Sequence, residues 1–416
     1  MGARLGLALR AAGFRVSIWG PRRHALLLTG AVHRRYLYRI SQPVRSMEAA
    51  VLDAAPDLIL PCDEPATIHL QELADRALTR PHLASVLSLI ERSLCPPNAL
   101  KRLTQRAYVL DAAAAGGAPV PINASVGSLD ELRNWLGIHG FPAYLKADAT
   151  FGGLGVRRIR DYEEAESAYH ALAAAPGLGR AIRRMALYHD PTLIEPSLRR
   201  RRAAISVQRA VHGGDVNSAI FCWRGQVLAS LTMQVISVGY EFGPSTVLRR
   251  ISNPQMDRTA EVLASRLNLS GFYGLDFILE EQSGIPWLLE LNCRATQIPH
   301  LALGPGHDLP AAAFAAVTGL PLRPRPLVTA MQTIALFPQE WERDSASPYV
   351  REAYHDVPWE APRLVRSYMH PRTDLRLLLS RSHWRNRKRQ SARVEAPLAA
   401  PEASLVQEGV MPQTLK

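Results

Sequence analysis

Residues 271–294 read Gly271-Phe-Tyr-Gly-Leu-Asp-Phe-Ile-Leu-Glu-Glu-Gln-Ser-Gly-Ile-Pro-Trp-Leu-Leu-Glu-Leu-Asn-Cys-Arg294. Two apolar runs flank a polar Glu-Gln-Ser-Gly turn, the pattern of a β-hairpin. Centring the hairpin on Ser283 sets Asp276 opposite Glu290. Strand side chains alternate faces, so Asn292 shares the face of Glu290 and Arg294 extends the row. Two carboxylates, an amide oxygen and a guanidinium then converge on one patch among apolar neighbours. Like charges directly opposite on a sheet are destabilising, so this pair calls for a cation. Hard oxygen donors suit Mg²⁺, which takes one or two carboxylates and completes its shell with water and substrate phosphates.

A chain of 416 residues suggests two or three domains. No apolar run reaches the roughly 18–20 residues of a membrane helix. The apolar stretch before Arg10 is too short for a signal peptide, and residue 6 is Gly where a myristoylation site has Ser or Thr. Cys62, Cys95, Cys222 and Cys293 are scattered without zinc-ligand spacing, which points to a reduced, cytoplasmic protein. The formal charge of +12 is concentrated at residues 199–202 and 381–389. The second cluster precedes an Ala/Pro/Glu-rich tail that reads as disordered. Without zinc-finger spacing or an RNA-binding aromatic signature, both clusters read as solvated charge rather than a nucleic-acid surface.

Hydrophobic periodicity sets out the rest. Residues 3–13 read as a helix ended by Gly13, 14–19 as a strand, 47–55 as a helix and 57–61 as a short buried strand, an α/β alternation without its usual opening strand. Residues 63–74 and 82–93 read as helices, and 99–115 as a helix ending at Gly116-Gly117. Helices are expected at 129–139 and 162–175, and strands at 142–147 and 156–159. Strands and turns alternate from 204 to 234, with Gly213-Gly214 and Arg224-Gly225 as turns. An amphipathic helix at 256–268 precedes the hairpin, a helix at 307–318 follows it, and 331–370 reads as an appended strand and loop.

Two further stretches carry chemistry. In Pro142-Ala-Tyr-Leu-Lys-Ala-Asp-Ala-Thr-Phe-Gly-Gly-Leu-Gly-Val156, a lysine late in a strand precedes a glycine-rich loop. Glycine lets backbone N–H groups approach a phosphate, and the ammonium neutralises its charge. No Gly-Lys-Ser/Thr follows, so this is not a Walker loop. In Ile205-Ser-Val-Gln-Arg-Ala-Val-His-Gly-Gly-Asp-Val-Asn217, the backbone at 208–211 offers groups that pair with adenine, and Asp215 offers an acceptor for ribose hydroxyls.

Taken in order, these three stretches resemble the ATP-grasp superfamily, most closely its carbamoyl-phosphate-synthetase-like and biotin-carboxylase-like branch, over about residues 3–320. The resemblance implies an α/β and α+β multidomain fold: a pre-ATP-grasp Rossmann-like domain at 1–97 lacking its first strand, and an ATP-grasp domain at 98–322 with a small lid at about 122–212. A C-terminal segment at 323–375 and a basic tail at 376–416 follow. It implies that Lys146 contacts nucleotide phosphates and that Gly152, Gly153 and Gly155 close over them. Gln208, Arg209 and Val211 match the hinge that frames adenine, and Asp215 the ribose-binding acid. Asp276, Glu290 and Asn292 match ligands of one or two Mg²⁺, with Mn²⁺ as a substitute, and Arg294 matches a catalytic cation near the γ-phosphate. Counting back from Gly117 favours Arg106 over Lys101 for an early nucleotide-binding cation.

The chain departs from the family pattern at the hinge, where Gln208-Arg209 replaces the common Glu-Lys, and at Leu154, where a polar residue is common. Arg249 or Arg250 stands where another phosphate-facing cation is often found. His212 and His300 read as structural. The implied activity is an ATP-dependent ligase joining a small-molecule carboxylate to an amine, or less often a thiol, through an acylphosphate. A bicarbonate-phosphorylating enzyme and a non-catalytic ATP-binding protein are the alternatives. The resemblance leaves a homo-oligomer open.

Overall fold

The computed structural model describes residues 2–148, 155–241 and 243–369. The tail from 376, with its second arginine cluster, lies outside them. Near the N-terminus, β1 (Val16–Gly20) and β2 (Val32–Leu37) pair in parallel. A four-stranded antiparallel sheet contains β3 (Asn123–Val126), β4 (Ala143–Ala147), β5 (Val156–Ile159) and β6 (Ile205–Arg209) in the order β3-β6-β4-β5. A seven-stranded sheet is built from β7 (Gly213–Trp223), β8 (Gln226–Val238), β9 (Ser245–Arg250), β10 (Gly271–Glu280), β11 (Pro286–Asn292), β12 (Thr333–Leu336) and β13 (Tyr354–Asp356). Its order is β11-β10-β7-β8-β9-β12-β13.

Both faces of the large sheet are covered, which explains the near-continuous apolar runs of β7 and β10. Val216, Ile220, Tyr273, Leu275 and Phe277 meet Leu70, Leu73, Ile90, Met256 and Leu263 on one side. Ala219, Phe221 and Phe272 meet Leu5, Leu9, Leu301 and Leu309 on the other. The alternation along β7 has the period of two that a strand imposes. The small sheet has its own core, in which Leu145, Ile159 and Val207 pack on Leu132, Leu136, Ala165 and Tyr169.

Local signals end the elements where the sequence reading expects. Ser128 and Asp161 cap the helices Leu129–His139 and Tyr162–Ala173 through the N–H groups of Glu131 and Glu164. Arg224 and Gly225, both at positive φ, turn β7 into β8. Gly319 closes the helix Leu309–Thr318 in the left-handed region.

Three expectations fail. Residues 57–61 form no strand: the Ile59 N–H goes to Ser93 Oγ and the Pro61 carbonyl accepts from Ala295 N. Pro56 and Pro61 also lack the donors a strand ladder needs. The helix expected at 99–115 breaks into Pro97–Leu100 and Arg106–Ala114, because Leu103 turns inward and its carbonyl takes the Cys293 thiol. Gly213 and Gly214 open β7 instead of forming a turn; a Cβ on Gly213 would overlap the Leu279 carbonyl of β10. The strand β2 and the helices Leu178–Tyr188 and Ile194–Leu198 have no counterpart in the sequence reading.

The C-terminal segment is part of the body. β12 and β13 extend the large sheet beyond β9, and the helix Pro362–Met369 places Leu364 against Ile18 and Leu26. Asp356 on β13 is 2 % exposed and pairs with Arg4, while its other oxygen meets His300 Nε2 at 2.8 Å. Among the described residues no helix is long and apolar enough to cross a membrane.

Burial opposes the Asp356 charge, but His300 and Arg4 outweigh it and hold the carboxyl below its ordinary range. His300 is itself held low, chiefly by burial. A depressed acid stabilises the fold above its unfolded pKa, and a histidine kept neutral does the same. Both contributions are therefore lost as pH falls, from below about 6.5 for His300 and below about 4 for Asp356. Asp356→Ala, which strands Arg4, is expected to lower stability by about 3–5 kcal/mol and to remove the part of the acid-side slope below about pH 4, as measured by urea unfolding across pH.

Candidate active site

The acidic ribbon forms as expected. Asp276 pairs with Glu290 across β10 and β11, and Gly274 with Asn292. Near the turn the register is one residue different, with Phe277 opposite Leu288, and a bulge at Leu289 restores the Asp276–Glu290 rung. Gly274 leaves room for the loop after β11, since a Cβ there would overlap Thr296. On its other side β10 pairs with β7, so Asn217 stands opposite Asp276. Asp276 accepts from Asn217 Nδ2 and, at 2.9 Å, from Asn292 Nδ2.

Two cations meet this rung from different elements. Arg106, the first residue of the helix Arg106–Ala114, donates to Glu290 at 2.8 Å and to Asp148, just past β4, at 3.4 Å. A guanidinium beside the positive end of a helix is unfavourable by itself, and these two carboxylates offset it. Lys146 on β4 is 7 % exposed and donates to Gln208 on β6, a contact between strands of the small sheet. Burial lowers Lys146 to about 7, helped by Arg106 and opposed by Glu290 and Asp276. The lysine thus sits within the electrostatic reach of the acids on the other sheet.

The rung itself is polarised. Burial first, then the facing Glu290, push the Asp276 carboxyl up. Burial also opposes the charge on Glu290, but Arg106 and then Lys146 outweigh it and hold that carboxyl low. The two carboxyls lie within hydrogen-bonding reach of each other, which demands either a shared proton or a cation between them. Among the described residues no group of three or more His, Cys, Asp or Glu side chains forms a metal cage. Two carboxylates and an amide, open to water and phosphate, fit Mg²⁺ better than a metal that wants an all-protein shell.

Arg294 extends the row. Its Nε donates to Glu64 at 2.8 Å and its Nη2 reaches Asn292 Oδ1 at 3.4 Å. Glu64, Thr67, Arg106, Asp148, Glu290, Asn292 and Arg294 line a cavity of about 110 Å³. A larger open cavity, about 460 Å³, between residues 116–119 and 254–262 contains none of these groups.

The family model for the carbamoyl-phosphate synthase L chain ATP-binding domain matches residues 105–322. This chain belongs to the ATP-grasp family. Similar solved structures include the biotin carboxylase domain of Hydrogenobacter thermophilus 2-oxoglutarate carboxylase, at 14% identity and TM-score 0.54, over 77% of this chain and 68% of that one. N5-carboxyaminoimidazole synthetase from Staphylococcus aureus matches at 13% identity and TM-score 0.53, over 78% and 77%. L-amino acid ligase from Bacillus licheniformis matches at 14% and 0.51, over 77% and 75%. At such identities the likeness speaks for the fold. No protein with a curated function matches in sequence.

Arg106, Glu290, Asn292 and Arg294 line one cavity, Asp276 faces Glu290 on the ribbon, and Lys146, bonded to Gln208, lies in the field of both acids. Gly152, Gly153 and Leu154 lie outside the described residues, and Gly155 is buried at the start of β5. At the hinge, the Arg209 and Ala210 N–H groups are taken by the carbonyls of Ile122 and Pro142, so of the four hinge residues Val211 is the better placed to offer a backbone donor. Asp215 is exposed near the start of β7. Lys101 pairs instead with Asp75 at 3.4 Å on the surface. Arg250 donates to the Leu303 carbonyl at 2.9 Å and Arg249 is exposed, so neither is held at the acidic rung.

The sequence reading missed Asn217, Asp148 and Glu64. Asp148 had a signal, since it follows Lys146 by two residues and so shares its face. Asn217 and Glu64 reach the site only through strand pairing and helix docking.

A lysine with a lowered folded pKa destabilises the fold at neutral pH, and the penalty fades as pH rises from about 7 toward the unfolded value. Lys146→Met is therefore expected to be more stable than wild type at pH 7 without nucleotide, by about 1–3 kcal/mol, and to lose the alkaline gain. Denaturant unfolding at pH 7 and pH 9.5 measures both effects.

Proposed function

We propose that this ATP-grasp protein is an ATP-dependent, ADP-forming ligase that joins a small-molecule carboxylate to an amine. The observation that carries the reading is the Asp276–Glu290 rung, with Arg106 paired to Glu290 and Lys146 of the small sheet in its electrostatic field. Nothing in an apolar core requires two facing carboxylates, so their retention points to a ligand that compensates them.

In this reading, adenine lies along the hinge at Gln208, Arg209 and Val211, and Asp215 accepts from the ribose. Lys146, Arg106 and the loop containing Gly152, Gly153 and Gly155 receive the phosphates. Asp276, Glu290 and Asn292 would hold Mg²⁺ or Mn²⁺, whose role is to neutralise charge on the nucleotide phosphates. The Asn292 amide oxygen now faces Arg294, so a turn of that amide accompanies its use as a ligand.

The substrate carboxylate oxygen attacks the γ-phosphorus, the bond to the bridging oxygen breaks and ADP leaves, giving an acylphosphate. The amine nitrogen then attacks the acyl carbon, the C–O bond to phosphate breaks, and the amine releases a proton. Arg294, in the row beyond Asn292, stabilises charge on the transferring group. Positioning and electrostatics carry most of the acceleration, because charge on the transferring phosphoryl is what the site must stabilise. No Ser, Cys or His nucleophile takes part. The position in the cell is expected to be cytoplasmic.

A screen of pooled carboxylic and amino acids with MgATP, read by ADP release, tests the assignment. Wild type should release ADP with one or more pools, and Glu290→Ala should lose about a hundredfold or more of that rate. Equal release by both proteins would sink the catalytic reading.

A further inference from the structure

The cavity beside the acidic rung has a second pair of opposite charges in its wall, one member of which comes from the N-terminal part of the chain. Glu64 is the first residue of the helix Glu64–Leu78. Three contacts fasten the start of this helix to the residues that follow Asn292. Glu64 Oε1 accepts from Arg294 Nε at 2.8 Å, the Thr67 hydroxyl donates to the Cys293 carbonyl at 3.1 Å, and the Ala295 N–H donates to the Pro61 carbonyl at 3.0 Å. Arg294 Nη2 reaches Asn292 Oδ1 at 3.4 Å, so the guanidinium lies between Glu64 and the ribbon. Glu64 and Arg294 both line the cavity, and their side chains keep 30% and 16% exposure, so a ligand there meets both.

The other charges of the wall are engaged elsewhere. Arg106 pairs with Glu290 and Asp148, and in the ligase reading these three serve the nucleotide and its metal. The Glu64–Arg294 pair remains for a second ligand. An ion pair is a poor partner for a lone charge, since whatever one member attracts the other repels. A ligand that carries both signs gains twice, through a carboxylate on the guanidinium and an ammonium on Glu64. The spacing selects among such ligands. The paired atoms of Glu64 and Arg294 are 2.8 Å apart, which suits charged groups attached to one carbon, as in an α-amino acid. The volume, about 110 Å³, is the liquid share of roughly four waters and suits a small molecule. Ile68 and Leu103 supply an apolar wall for a short side chain.

We propose that the carboxylate substrate of the ligase is a small α-amino acid, bound as its zwitterion with the carboxylate on Arg294 and the ammonium on Glu64. Its role as a substrate rests on the ligase reading, whereas zwitterion binding needs only the cavity and its ion pair. Glu64 is then the residue that separates amino acids from plain carboxylates. An α-nitrogen held as ammonium has no lone pair, so the nucleophile is the amine of the second substrate.

Full-length protein without nucleotide is titrated with L-alanine, propionate, ethylammonium and β-alanine, followed by saturation-transfer NMR. Propionate lacks only the ammonium of alanine, and ethylammonium lacks only its carboxylate. Alanine is expected to bind about tenfold more tightly than either, and about threefold more tightly than β-alanine, whose charges are one carbon further apart. Glu64→Gln keeps an acceptor for Arg294 Nε and removes the charge. It should weaken alanine by about tenfold and leave propionate unchanged or tighter, whereas a merely structural role would weaken both alike. The wild-type comparison carries the test even where the variant does not fold. Propionate, ethylammonium or β-alanine binding as tightly as alanine, no saturable alanine binding, or, in a folded variant, unchanged alanine binding or equal loss of alanine and propionate would overturn the assignment. Selective alanine binding in a protein that releases ADP with no pool would sink the ligase alone. ADP release with plain carboxylates, without selective alanine binding, would sink the zwitterion site alone.

Discussion

Two carboxylates face each other on adjacent strands, and much of the cleft is arranged around that repulsion. In water such a pair would be a minor cost. Among buried neighbours it is large enough to push Asp276 toward its neutral form and to draw cations inward from two directions. Arg106 begins a helix where a positive charge is unwelcome, and Lys146 is buried deeply enough to lie near neutrality at physiological pH. Each of these groups is strained by itself and tolerable only beside the others. Such mutual dependence is what a site that binds a polyanion with a metal requires.

The two sheets divide the work. The large sheet is buried on both faces and holds the acids on a rigid ribbon whose register is fixed by the bulge at Leu289. The small sheet has its own core and brings Lys146 and Gln208 to the opposite side of the cleft. The Arg106 bridge from Glu290 to Asp148 ties the ribbon to the end of β4. In the proposed reading, phosphate would compete with Glu290 and Asp148 for Arg106, which would link nucleotide binding to rearrangement of this bridge.

At the far end of the body, buried charge does a different job. Arg4, His300 and Asp356 join the first helix, the loop after β11 and the last strand, and the helix Pro362–Met369 completes the core beside β1. The residues after 322 therefore stabilise the same unit that holds the helix bearing Glu64 beside the acidic site.

The sequence by itself determined the elements whose signals are local. Period-two runs around a polar turn marked the hairpin, a lysine before glycines marked β4 and its loop, and hydrophobic periodicity marked the helix at 129–139 and one expected at 162–175 that ends at Ala173. Those signals also placed Asp276 opposite Glu290 with Asn292 in the same row, because alternation along a strand is a property of the strand alone. Only the tertiary structure decided that residues 57–61 give their backbone groups to Ser93 and Ala295, that the helix before Gly116 breaks at Leu103, and that Asn217 faces Asp276. The same holds for Glu64 beside Arg294. The physical reason is common to all of them: these partners are far apart in the chain, and which groups meet depends on how whole elements pack, a choice that no local pattern of residues encodes.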